Sequence, residues 1–256
     1  MPFHQTSFHQ NPLSWTRTFL LCAGLVVSTA ATTTAWAQSS CSSDGQTAPT
    51  GLLERFISAD CETCWADSKT VRAQPGELTV DWIVPSDKGE DAPLSTVASR
   101  DAGQRLQALR QVAPKDFINV RKTVPPTPLT LRVAHGLAFG GYMGVSIELT
   151  AAAGARLPTE TLTAWLLLAE EIPVGAEGTP VPRNLARNSL ISLWVKRSQL
   201  LNSEQNTDQA QAAARLYESR PMGIPAGANP DHLHVLGWVE NEKGEVMAAA
   251  VSVCGG

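Results

Sequence analysis

The most chemically pointed residues in this sequence are Cys61 and Cys64, two thiols separated by Glu62 and Thr63. A thiolate attacks a disulfide sulfur and a neighbouring thiol resolves the mixed disulfide, so two Cys at this spacing suffice for thiol–disulfide exchange. If Cys61 sits at the start of a helix, unpaired N–H groups and the positive end of the dipole stabilise its thiolate. Asp60 and Glu62 act the other way, because adjacent carboxylates disfavour a second negative charge. The pair fits a structural disulfide equally well. It also fits half of a zinc site, although no second CxxC supplies the remaining ligands. The spacing alone leaves these readings open.

Cys22 falls in the N-terminal segment read below as a cleaved signal, and Cys41 and Cys254 stand near the two ends of the chain that remains. The CxxC spacing favours a Cys61–Cys64 bond and leaves Cys41–Cys254 as a staple that closes most of the sequence into one loop. Other constellations carry less. Asp231, His232 and His234 could set two imidazoles on one strand face, but a third ligand is missing. Trp82, Trp165, Trp194 and Trp238 lie in apolar runs and read as core. The glycines of 136–144 lack the Lys and Ser/Thr of a phosphate loop. Ser58, Ser99 and Ser189 lack a nucleophile elbow, and His135 has no identifiable acid or base partner, so hydrolase chemistry is poorly supported.

The elements that must position these residues fall into two groups. Leu52–Ile57 and Leu78–Val84 read as strands, the second stopped by Pro85, with a helix expected over Trp65–Arg72 and another over Thr96–Val112. That strand–helix–strand–helix order suggests an α/β unit. After the Pro-rich segment 123–128, strands are expected at Leu129–Val133, Met143–Thr150, Leu162–Ala169, Ser189–Val195, His232–Val239 and Glu245–Val253. Asn241–Gly244 is the turn of a last hairpin. One exposed helix is expected at Glu204–Glu218. Strands without intervening helices argue for an antiparallel sheet or sandwich.

The N-terminus carries a different signal. Arg17 is the only charged residue in 1–37, an apolar run follows over Phe19–Ala31, and Ala35, Trp36 and Ala37 precede Gln38. This is the order of a cleaved secretory signal, which sends the chain to the periplasm or outside the cell, where disulfides persist. Residues 38–50 read as a flexible leader. Of 256 residues 43% are apolar, enough for a packed core, and a net charge of −4 excludes general nucleic-acid binding by electrostatics. No later apolar run is long enough to span a membrane.

Residues Glu54, Phe56, Ser58, Cys61, Cys64, Ala66 and Asp67 resemble the Glu-Leu-Phe-Thr-Ser-Gln-Gly-Cys-x-x-Cys-Pro-Pro-Ala-Asp signature of an exported bacterial family, the domain of unknown function 1223 family. Val80, Asp81 and Trp82 are similar to its Val-Asp-Tyr-Trp, and Arg183, Leu185 and Asn188 fall in its Asn- and Arg-bearing segment. The stretch 239–249 is similar to its last hairpin. The chain has Trp65 where the family has Pro-Pro. The resemblance implies a thioredoxin-like module over 51–126 followed by a β-sandwich-like module over 127–256, an α/β (α+β) fold. Such folds place a Pro opposite the CxxC, for which Pro128 is the candidate. The expected function is thiol–disulfide exchange or redox sensing, with Cys61 attacking and Cys64 resolving. The partners would be protein thiols or disulfides, and neither cofactor nor metal is needed. The alternative is a non-catalytic binding protein that keeps the scaffold and a structural disulfide.

Overall fold

A computed structural model describes residues 41–194 and 215–254. The segment expected as a signal, 1–37, lies outside them, as does most of the helix expected at Glu204–Glu218. The described chain is mostly β-sheet. Its elements are β1 (Cys41–Ser42), β2 (Gly51–Ser58), α1 (Glu62–Trp65), β3 (Glu77–Val84), α2 (Arg100–Ala108), β4 (Phe117–Thr123), β5 (Leu129–Phe139), β6 (Tyr142–Ala151), β7 (Leu162–Ile172), β8 (Arg183–Trp194), β9 (Arg215–Gly223), β10 (Leu233–Glu240) and β11 (Val246–Val251). Among the described residues no helix is long and apolar enough to cross a membrane.

The strands form two sheets. One has the order β1-β5-β6-β9 and is antiparallel throughout. The other has seven strands in the order β11-β10-β7-β8-β3-β2-β4 and is mixed, with β2/β3 and β3/β8 parallel and the remaining pairs antiparallel. Strands from both sides of the Pro-rich segment therefore share one sheet. The parallel β2/β3 pair requires a crossover, and the Cys61–Cys64 turn lies at its start.

Alternation along the central strands sends residues to two different cores. Val133, Ile147, Leu149, Leu166, Leu168 and Val235 meet between the two sheets. Phe56, Val80, Trp82, Trp165 and Trp238 face the other way, where Ala102 and Leu106 of α2 cover them. A third cluster, of Ile57, Cys64, Trp65, Ile83, Ile172 and Leu185, lies under the CxxC turn. Burial of these side chains from water is the main force holding the layers together.

Several sequence expectations are corrected. The helix expected over Trp65–Arg72 is absent; a single turn, α1, forms instead. Asp67 ends it, because its carboxylate accepts from the Lys69 N–H and its carbonyl from Thr70, giving the backbone a local alternative to the helix. Helix α2 is shorter than 96–112: Ser99 caps it by accepting from the Asp101 N–H, and Arg110 leaves it at φ 56°. Val112 is 84% exposed. Residues 215–218, expected as the end of a helix, belong to edge strand β9, which also holds Pro221. Residues 41–50, expected as a flexible leader, are tied down by the Ser43 N–H to Val133 O bond, an Asp44–Arg132 ion pair and the Thr50 N–H to Gly76 O bond. Strand β4 was not expected at all.

Candidate functional site

Strand β2 ends at Ser58 and delivers Cys61 to the N-cap of α1, with Cys64 three residues on. The two are disulfide-bonded. Cys61 is half-buried at the surface, whereas Cys64 is 8% exposed and packs with Ile57, Trp65 and Ile83. The Cys64 N–H donates to the Cys61 carbonyl, which fixes the turn. A helix of four residues has little dipole, so the thiolate stabilisation expected from a helix N-terminus is weak here. Asp60 is occupied elsewhere, accepting from the Ser86 hydroxyl and paired with Lys88 at 3.4 Å.

Register places a further acid at the site. Strand β4 runs antiparallel to β2, with Ile57 opposite Phe117 and Gly51 opposite Thr123. The start of β4 therefore lies at the cysteine end of β2 and its finish at the far end. A carboxylate oxygen of Asp116 and the two sulfurs all lie within 4.8 Å of one another. Pro128, which follows the finish of β4, is consequently remote from the CxxC. Its neighbour Thr127 instead donates a hydrogen bond to the Met247 carbonyl of β11. The position that faces the cysteines belongs to Asp116.

Beneath the turn, two buried guanidiniums share one buried carboxylate. Arg55 grips Asp81 with Nε and Nη2 at 2.8 and 2.7 Å, and Arg183 reaches the same carboxylate at 2.7 Å. Arg183 also donates to the Trp65 carbonyl at 2.8 Å and to the Thr179 hydroxyl, and its guanidinium carbon lies 4.3 Å from the Trp65 ring centroid. Burial, and secondarily the charge of Arg55, pull the Arg183 guanidinium below its ordinary value, while Asp81 holds it up. The Trp65 carbonyl thus rests on a charged post rooted in β3 and β8.

Its counterpart lies on the opposite face of the sheet. Glu54, one residue before Arg55 and so pointing the other way, takes two bonds of 2.7 Å from Arg105 of α2 and one from Trp82 Nε1. Arg105 also bonds both oxygens of Glu240, which accepts from Lys122 as well. The Arg105 guanidinium carbon lies 4.7 and 4.9 Å from the ring centroids of Trp165 and Trp238. Burial works against its charge, but Glu54 and Glu240 outweigh that and raise it above its ordinary value. Burial likewise tends to raise the Glu240 carboxyl, yet the bonds from Arg105 and Lys122 win and hold it below the usual range.

Of the residues singled out in the sequence, Cys61 and Cys64 come together. Cys41 and Cys254 pair with each other. His232 and His234 do not form a ligand cluster with a third group among the described residues. His234 is pushed below its ordinary value by burial. Asp116, Arg55 and the positioning role of Arg183 were missed as site residues, although Asp81 and Arg183 lie in the segments that carry the family resemblance. Asp116 had no local signal, because only the register of β4 brings it to the sulfurs.

No family model matches the chain, and no curated protein matches it. Among solved structures it is similar to HBP35 of Porphyromonas gingivalis, with a TM-score of 0.42 and 11% identity over 82% of this chain and 75% of that one. A likeness that loose carries no argument about fold or function.

Proposed function

We propose that the protein is an exported thiol–disulfide exchange protein of thioredoxin-like plan, related to the domain of unknown function 1223 family, with Cys61 as the exchanging sulfur and Cys64 as its resolver. The run β2, CxxC turn, β3, α2, β4, with β3 parallel and β4 antiparallel to β2, supports that plan. The observation that carries the function is the asymmetry of the disulfide: Cys61 is only half-buried, whereas Cys64 is buried. Two disulfides in one chain are consistent with an oxidising compartment.

The exchange balances without a cofactor. A substrate thiolate attacks the Cys61 sulfur, the Cys61–Cys64 bond breaks, and Cys64 leaves as a thiolate that takes up a proton. A second substrate thiolate then attacks the substrate sulfur of the mixed disulfide, releasing Cys61 as the leaving thiolate. Two substrate thiols lose two electrons and two protons, which end on Cys61 and Cys64; the reverse sequence reduces a substrate disulfide. Asp116 provides a proton-handling group beside both sulfurs.

The test is trapping. Reduced Cys64→Ser protein incubated with glutathione disulfide is expected to accumulate one mixed disulfide, mapped to Cys61, while Cys61→Ser protein forms none at Cys64. Absence of the Cys61 adduct, or equal labelling at both positions, contradicts the assignment. The binding-protein reading draws on a different observation, the exposed Leu137, Phe139 and Tyr142 around the β5–β6 hairpin. It is favoured if neither cysteine exchanges.

A further inference from the structure

Three separate stretches of chain converge away from the CxxC. Cys41 of β1 stands directly opposite His135 of β5. The segment after β11 returns alongside β1, with Ser42 and Val253 exchanging backbone hydrogen bonds at 3.1 and 2.9 Å, and so delivers Cys254. The two sulfurs and one imidazole nitrogen lie within 4.8 Å of one another. Cys41 and His135 are each 5% exposed, whereas Cys254 is exposed.

The imidazole is arranged in an unusual way for a structural histidine. Its Nδ1 lies 3.1 Å from the Gly136 carbonyl, which can only accept, so Nδ1 carries the proton. The lone pair of the neutral ring is then on Nε2, and that atom is buried with no hydrogen-bond partner among the described residues. An unpaired buried acceptor costs about 1–3 kcal/mol in general. A backbone carbonyl holding one ring N–H while the other nitrogen is left free is how metal-ligating histidines are oriented.

We propose that Cys41, Cys254 and His135 form a binding site for a divalent thiophilic cation of the zinc class, opened when the Cys41–Cys254 disulfide is reduced by a dithiol. The dithiol gives up two electrons and two protons and becomes a disulfide, and Cys41 and Cys254 become thiols. The cation then displaces both thiol protons, taking two thiolates and the Nε2 lone pair. Two sulfurs and one nitrogen make a three-ligand set of the kind zinc accepts, with its fourth position left to water. At zinc–sulfur distances of about 2.3 Å the sulfurs must part to about 3.8 Å, which the exposed Cys254 segment can absorb. Disulfide and metal are mutually exclusive states of one site, which shares no residue with the Cys61–Cys64 exchange and stands whether or not that exchange occurs.

The test uses the full chain carrying Cys22→Ser, Cys61→Ser and Cys64→Ser, so that only Cys41 and Cys254 can contribute thiolate. After reduction with dithiothreitol and anaerobic desalting, cobalt(II) is added as a spectroscopic probe and then displaced by zinc. One cobalt per chain with a thiolate-to-cobalt charge-transfer band is expected, and His135→Ala in the same background should weaken binding by more than about tenfold. No such band, or a band and affinity unchanged by His135→Ala, overturns the proposal. Should the reduced chain lose its native circular dichroism, zinc is expected to restore it with His135 present and not with His135→Ala. Failure to restore it counts against the site.

Discussion

Glu54 and Arg55 are consecutive residues of opposite charge, both buried, and each completes a network on its own face of the sheet. In such networks the cost of losing one partner exceeds the gain from having the pair, because the remaining charge stays buried and unpaired. Arg105→Met is therefore expected to destabilise the fold by about 3–5 kcal/mol, read from urea denaturation, since it strands Glu54 and leaves Glu240 with Lys122 alone. The pH dependence has a definite sign. Glu240 is held below its unfolded value of about 4.3, so between the two values the unfolded chain binds more protons. Its contribution is complete above the unfolded value and is lost as pH falls through the folded one. The urea midpoint is expected to drop below about pH 4, and Glu240→Gln should flatten that part of the profile.

At the level of elements, the strands were legible and their neighbours were not. Strands β2, β3, β6, β7 and β10 are dense in apolar and β-branched residues, and each was expected within a few positions of where it lies. Strand β4 escaped notice because it is an edge strand whose sequence FINVRKT alternates between exposed and half-buried positions. With β4 unseen, its register was unseen, and Asp116 and Pro128 could not be placed relative to the cysteines. The short α1 also follows from tertiary contacts: Arg183 binds the Trp65 carbonyl at the point where the helix stops. Arg183→Met is expected to loosen that turn while leaving Cys61 as accessible as before. Alkylation of reduced protein, resolved by mass spectrometry, should show Cys64 modified several-fold faster and Cys61 unchanged. Equal rates at Cys64 in both proteins would show that Arg183 does not position the turn.

On the scale of the molecule, the Cys41–Cys254 bond joins residues 213 apart and anchors β1 beside β5. Replacing both with Ser is expected to cost at most about 5 kcal/mol on the chain-entropy account, seen as a lower thermal midpoint without loss of the seven-stranded sheet. The CxxC bond closes only a small loop, so little of its value is entropic in that sense. The distinction between staple and reagent rests on how easily each bond is reduced. With a one-turn helix and Asp116 beside the sulfurs, thiolate stabilisation is modest, which moves the Cys61–Cys64 pair away from the strongly oxidising end. The direct measurement is the reduction potential of that pair, from intact protein equilibrated in dithiol redox buffers, alkylated, and quantified on the peptide bearing Cys61 and Cys64. Thiol–disulfide exchange is supported by a value between about −180 and −270 mV, and one below about −300 mV would contradict it by marking an inert structural bond.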